Sequence, residues 1–174
     1  ENHCEVVCLE SVTDYRLREL EKSGIYFSPI DSDKTSSFNR LFQQLSKGTG
    51  SGPGSIDVLG RKIAYEDSSN DTIQFSADVI FSSPRSSSDY IELSKEFHTI
   101  FISNLNIISE EDTARRFIAF IDECYDRNVK VIFLSNPLPD DIYNGKRLVD
   151  KFQRTLSRLT EMQSNDYLQA GHKG

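Results

Sequence analysis

The stretch from His98 to Leu134 constrains the fold most. His98 to Ser103 (H-T-I-F-I-S) reads as a strand, and Val129 to Leu134 is a near-continuous apolar run. Between them Ala114, Phe117, Ile118, Ile121, Cys124 and Tyr125 recur on one face of a helix, which opens where Ser109 and Asp112 have capping-box spacing. A strand as apolar as the second one suits burial on both sheet faces, the usual setting of a parallel strand. Strand, helix and strand in that order imply a right-handed crossover and parallel pairing. The expected fold class is therefore α/β: a partly parallel sheet with packed helices plus a small β-rich insert.

Other segments fill in around this unit. Glu5 to Leu9 reads as a short buried strand, and Thr13 to Lys22 as a short charged helix ended by Gly24. Phe38, Leu41, Phe42 and Leu45 form a one-sided stripe within a helix from Lys34 to Leu45. Lys47 to Ser55 (K-G-T-G-S-G-P-G-S) reads as a flexible linker. Ile56 to Leu59 and Lys62 to Tyr65 flank Gly60-Arg61 as a tight hairpin, and Ile73 to Phe81 holds one or two strands. Ser86 and Asp89 have capping-box spacing for a helix that runs to about Phe97. A long helix, Lys146 to Gln163, closes the pattern. The expected organisation is 1–46 as the end of a core with a short helical segment, 47–55 as linker, and 56–174 as an α/β domain with its insert.

Charge and composition exclude several functions. The chain has 20 Lys and Arg against 27 Asp and Glu, a formal charge of −7. Bulk charge of that sign does not hold nucleic acid or an anionic membrane. The apolar runs are far short of the roughly 18 residues of a membrane span. No basic-then-apolar leader opens the chain, so no signal peptide is expected. Cys4, Cys8 and Cys124 are odd in number and lack Cys-x-x-Cys spacing, which suits a reducing compartment. Cys4 and Cys8 stand near His3, but no fourth ligand at suitable spacing completes a zinc set, so no metal site is expected. Gly48, Gly50, Gly52 and Gly54 lack the following Lys and hydroxyl of a phosphate loop, and Pro53 removes a backbone donor. The three histidines, His3, His98 and His172, accompany no nucleophile elbow.

Arginines supply the candidate site residues. In the last helix Leu148, Val149, Phe152, Leu156, Leu159 and Met162 form the expected buried stripe, while Arg147, Lys151, Arg154 and Arg158 line another face. Like charges at this spacing repel by a few tenths of a kcal/mol per pair. The face is either solvated, with carboxylates drawn from elsewhere, or an anion site for a phosphate or an acidic partner. Arg115 and Arg116 follow Asp112 by one turn, which fits an intrahelical ion pair or a reach towards a nucleotide phosphate. Asn136, after the buried strand, stands where parallel strands place ligand groups, although Pro137 and Pro139 also mark a simple strand end.

The segment Phe152 to Ser164, F-Q-R-T-L-S-R-L-T-E-M-Q-S, followed by Tyr167-Leu168, resembles the C-terminal signature of the ZapE / mitochondrial Afg-type ATPases. Asp14-Tyr15-Arg16, Gly60-Arg61, Asp89 to Leu93, Ala114 to Ile118 and Ile121 to Asp126 fall in the family's order. Asn106 stands near a usual proline, and Ile80-Phe81 near a usual Leu-Cys. The resemblance implies an AAA+-like P-loop ATPase that acts in bacterial cell division or mitochondrial protein quality control. It implies ATP and Mg in the intact protein, protein partners, a homo-oligomer and no nucleic acid, with any membrane association through partners. The chain begins at Glu1 and enters a strand-like run at once, so the expectation is a C-terminal piece whose Walker A and Walker B segments lie upstream. No tightly bound cofactor and no turnover by the piece alone are then expected.

Within that resemblance, Arg154 and Arg158 are the first candidates for a charge-stabilising catalytic arginine. Arg115, Arg116 and Asn136 are the candidates for nucleotide contact. His98 to Tyr143 is also built like the Walker B-to-sensor half of such an ATPase, with Ser103-Asn104 in place of the acidic pair. A degenerate echo of this kind requires Ser103 and Asn136 at the carboxyl edges of adjacent parallel strands. The expected setting is bacterial cytoplasm, with a mitochondrion as the alternative. The alternative function is a stand-alone protein-binding adaptor without nucleotide chemistry.

Overall fold

The structure is a computed structural model and describes residues 15–174. His3, Cys4, Cys8 and the expected strand from Glu5 to Leu9 lie outside the described residues. A helix over residues 15–23 (α1) ends at Gly24, whose φ of +76° suits glycine and whose N–H donates to Leu20 O at 2.9 Å. Strand β1 (Tyr26–Phe27) and helix α2 (Ser32–Ser46) follow, the helix capped by Asp31, which accepts from Lys34 N at 2.7 Å. Next come β2 (Gly54–Val58), β3 (Arg61–Tyr65), β4 (Asp67–Ser68) and β5 (Thr72–Ser76). A π-helical turn, Asp78–Ser82, leads to α3 (Ser87–Glu96). The rest is β6 (Thr99–Leu105), α4 (Glu111–Asp126), β7 (Lys130–Ser135), α5 (Val149–Met162) and α6 (Asn165–Gln169).

The α/β class is as expected. One five-stranded sheet has the order β1-β7-β6-β5-β4, parallel throughout except for the short β4, and β2 with β3 forms a separate antiparallel hairpin. The period of two along the strands divides the core. Phe101, Ile132 and Leu134 face α2, where Phe38 and Phe42 meet Phe101 edge-on at 5.2 and 5.1 Å between centroids. Ile100, Ile102, Val131 and Phe133 belong to the other core, with α3, α4 and α5. Burial on both faces explains why β7 reads as nearly uniform apolar sequence. Its one cation, Lys130, is also buried, and Nζ donates to Asn128 O at 2.9 Å, Tyr167 O at 2.8 Å and Ala170 O at 2.7 Å.

Several local expectations need correction. The hairpin register pairs Val58 with Arg61, so the two-residue loop is Leu59-Gly60 rather than Gly60-Arg61. Both loop residues have positive φ, 51° and 80°, as a type I′ turn requires. The N-cap of α4 is Glu110, in extended conformation and without a side-chain cap bond, so Ser109 and Asp112 form no capping box. The other one forms, with Ser86 N donating to Asp89 Oδ2 at 2.9 Å. Val149 is exposed, because it begins α5 before the helix reaches the core, and Phe120 joins the buried face of α4.

The glycine-rich segment 47–55 lies against the sheet edge. Gly48 N donates to Gln43 O at 3.0 Å, Ser51 N to Ser68 O at 2.8 Å and Gly52 N to Asp67 Oδ1 at 3.0 Å. A Cβ on Gly50 would stand 2.6 Å from Asp67 Oδ1, so glycine is needed there for close approach. Strand β1 precedes this segment and β4 to β7 follow it, all in one sheet.

Candidate functional site

The cationic face of α5 divides into engaged and unengaged residues. Arg158 is ion-paired with Asp122 of α4, and its guanidinium lies 4.9 Å from the centre of the Tyr125 ring. Tyr125 in turn donates its hydroxyl to Glu161 Oε2 at 2.7 Å. Burial raises the Asp122 carboxyl, with the Arg158 charge acting against that rise. Arg147, 84% exposed, approaches Glu111 Oε2 at 3.5 Å. Lys151 and Arg154 are exposed, and no ion pair among the described residues holds either one. The carboxylates drawn from elsewhere thus satisfy the two ends of the stripe and leave its middle open.

Arg115 and Arg116 part company. Arg115 pairs with Glu111, one turn earlier, rather than with Asp112. That hydrogen bond is the main reason the Glu111 carboxyl sits low. Arg116 points the other way, and its Nη1 donates to Phe81 O at 3.1 Å, bracing the π turn after β5. Helical spacing offered both arginines a carboxylate, and the tertiary carbonyl won for Arg116.

Asn136 follows β7 immediately. Its Nδ2 donates to Asn106 Oδ1 at 2.6 Å, its Oδ1 accepts from Ile30 N at 3.3 Å, and its backbone N donates to Leu105 O at 2.9 Å. It therefore ties together the carboxyl ends of β1, β6 and β7. Ser103 lies on β6, next to β7 in the sheet, so Ser103 and Asn136 do stand at the carboxyl edges of adjacent parallel strands. Ser103 donates to the Glu66 carboxylate, whose other oxygen accepts from Gln74 Nε2 at 3.0 Å. A register shift between Ile102 and Leu105 and a φ of +56° at Asn104 mark the end of the regular ladder.

A cavity of about 450 Å³ opens at the carboxyl ends of β5 and β6, the usual place for ligands in an open α/β sheet. Ala77, Phe81 and Ile108 give it apolar walls, Asp78 and Glu110 give it carboxylates, and no Lys or Arg lines it. Such a lining does not suit a triphosphate. The glycine-rich segment offers no cradle either, since its N–H groups at Gly48, Ser51 and Gly52 are already spent on α2 and β4. Of the expected site residues, the fold brings Arg154 and Arg158 onto one helix face, places Arg115 beside Arg147 through Glu111, and puts Arg116 and Asn136 into structural bracing.

The AFG1-like ATPase family matches residues 1–171. The chain belongs to that family. It is 36% identical over 172 residues to the cell division protein ZapE of Escherichia coli (strain K12), covering 98% of this chain and 46% of that protein. It is 26% identical over 208 residues to lactation elevated protein 1 homolog B of Danio rerio, covering 98% of this chain and 41% of that one. An uncharacterized protein of Schizosaccharomyces pombe is 26% identical over 200 residues, 97% of this chain and 44% of its own. The chain thus spans less than half the length of these relatives. No solved structure matches. Among the described residues no helix is long and apolar enough to cross a membrane.

Proposed function

We propose that this chain is the portion of an AFG1-like ATPase that completes a nucleotide pocket held mainly by the rest of the parent protein, in a machine that couples ATP hydrolysis to cell division. The observation that carries this reading is the open middle of the α5 stripe. In a chain of net charge −7, Lys151 and Arg154 stay exposed and outside any ion pair among the described residues, with Arg154 acting on Asp122 only through its charge, while Arg147 and Arg158 are paired. An arginine held ready for developing phosphate charge has this character. Arg154 takes the charge-stabilising role, and Arg158, stacked on Tyr125 and paired with Asp122, holds α5 against α4. Arg115 and Arg147 are the next nearest candidates, through their shared Glu111.

Phosphate, ATP and magnesium are ligands of the parent in this reading, and none is assigned to the cavity within this chain. A bacterial cytoplasmic setting belongs to the same proposal, by analogy with the division protein, and a mitochondrial quality-control setting is its counterpart. The test is ATP turnover by the full-length parent carrying Arg154→Ala. A loss of at least tenfold at unchanged melting temperature supports the reading, since a charge-stabilising arginine supplies on the order of 10³-fold or more. Wild-type turnover removes it.

A further inference from the structure

Three polar contacts between α4 and α5, with the turn that opens α5, share one offset. Glu111 meets Arg147 at 3.5 Å, Asp122 pairs with Arg158, and Tyr125 donates to Glu161 at 2.7 Å, each joining a residue to the one 36 positions later. The offset holds over about 20 Å of helix, so α4 and α5 run parallel and in register, and their facing flanks form a ladder. The same offset sets Arg115 opposite Lys151 and Ile118 opposite Arg154. The outer rungs are thus complementary and the two inner ones are not. Glu111 already serves both Arg147 and Arg115. Asp150, one turn before Arg154, forms no ion pair with it among the described residues, and Asp122 feels Arg154 only through its charge. Arg115, Lys151 and Arg154 therefore share a groove in which Glu111 is the one acid, among the described residues, paired with any of them.

The shape of the groove decides what fits it. The cations stand on successive turns of two helices, with the half-buried Ile118 among them, rather than around one point. A phosphate needs its donors to converge on a point. A third helix laid along the groove has the same pitch of about 5.4 Å, so acids one turn apart on it meet successive rungs and an apolar side chain meets Ile118. A chain of net charge −7 repels an acidic partner overall, so such a partner gains only where cations concentrate and its own register matches theirs. We infer that the two inner rungs dock an acidic amphipathic helix of a protein partner, with one carboxylate between Arg115 and Lys151 and the next beside Arg154. The Arg115–Lys151 rung carries the docking, so the inference stands apart from the nucleotide reading, which rests on Arg154.

The probe is a fluorescein-labelled helical peptide of about 15 residues, with glutamates one turn apart and leucine between them. Its anisotropy is followed with the 174-residue chain at about 20 mM salt, where surface charges are weakly screened. A Kd below about 100 µM is expected. Lys151→Glu supplies the missing acid within the chain, so its melting temperature should hold or rise while peptide binding weakens at least tenfold. Lys151→Ala should weaken binding several-fold without that rise. Lys62→Glu changes the net charge by the same amount on the distant hairpin and should leave binding unchanged. A wild-type chain that does not bind, a Lys151→Glu chain that binds normally, equal weakening by Lys62→Glu, or displacement of the peptide by about 1 mM pyrophosphate would each overturn the inference.

Discussion

Replacing Arg158 by alanine should destabilise the chain by roughly 0.5–1 kcal/mol, and the structure shows where that comes from. The ion pair with Asp122 is partly screened, with side chains 26% and 38% exposed, so it contributes on the order of 0.5 kcal/mol. The guanidinium over Tyr125, 4.9 Å from the ring centre, contributes a similar amount. The freed rotamers of the arginine offset part of the sum. For a chain of this size the melting temperature should fall by roughly 2–4 °C. Urea titration of Arg158→Ala, Asp122→Ala and the double variant isolates the pair, with an expected coupling of about 0.5 kcal/mol. Arg154→Ala, without an ion pair to lose, should lie within about 0.3 kcal/mol of wild type. A neutral Arg158→Ala with no coupling to Asp122 would refute the division of the stripe into a bracing and an open arginine.

Three further outcomes follow from the packing. Lys130→Met leaves three backbone carbonyls without their donor, and even after the relief of desolvating an ammonium the loss in urea titrations should be about 2–3 kcal/mol. Burial, with Arg16 and Lys130 nearby, pushes His98 down to about 4 from 6.5. The unfolded chain therefore binds that proton first, so stability complete above pH 6.5 should fall as pH drops towards 4, by up to about 3 kcal/mol. His98→Gln should flatten this slope in stability measured against pH. Gly50→Ala drives a methyl into Asp67, which must then release Gly52 N and Ser68 N, for a loss of about 1–2 kcal/mol by thermal melting.

Much of the fold was legible because burial writes itself into periodicity. The α2 stripe, the β6–α4–β7 crossover and the Asp89 cap all follow from local spacing. What escaped was decided by tertiary partners. Helical spacing offers Asp112 to Arg116, yet Phe81 O lies closer to hand. Lys130 interrupts an apolar run and gives no sign in sequence that three carbonyls at the end of α6 and the α4–β7 turn will surround it. The glycines at 50 and 52 look unconstrained until Asp67, more than a dozen residues later, comes back to meet them. The cationic stripe was visible at its full length, but only the positions of Asp122 and Glu111 distinguish its engaged ends from its open middle.

The most direct measurement is a calorimetric titration of Mg-ATP into the 174-residue chain, with phosphate release followed in the same sample. With no triphosphate cradle among the described residues, binding should be weaker than about 1 mM and release should stay at the uncatalysed level. Saturable micromolar binding with magnesium-dependent release would contradict the account.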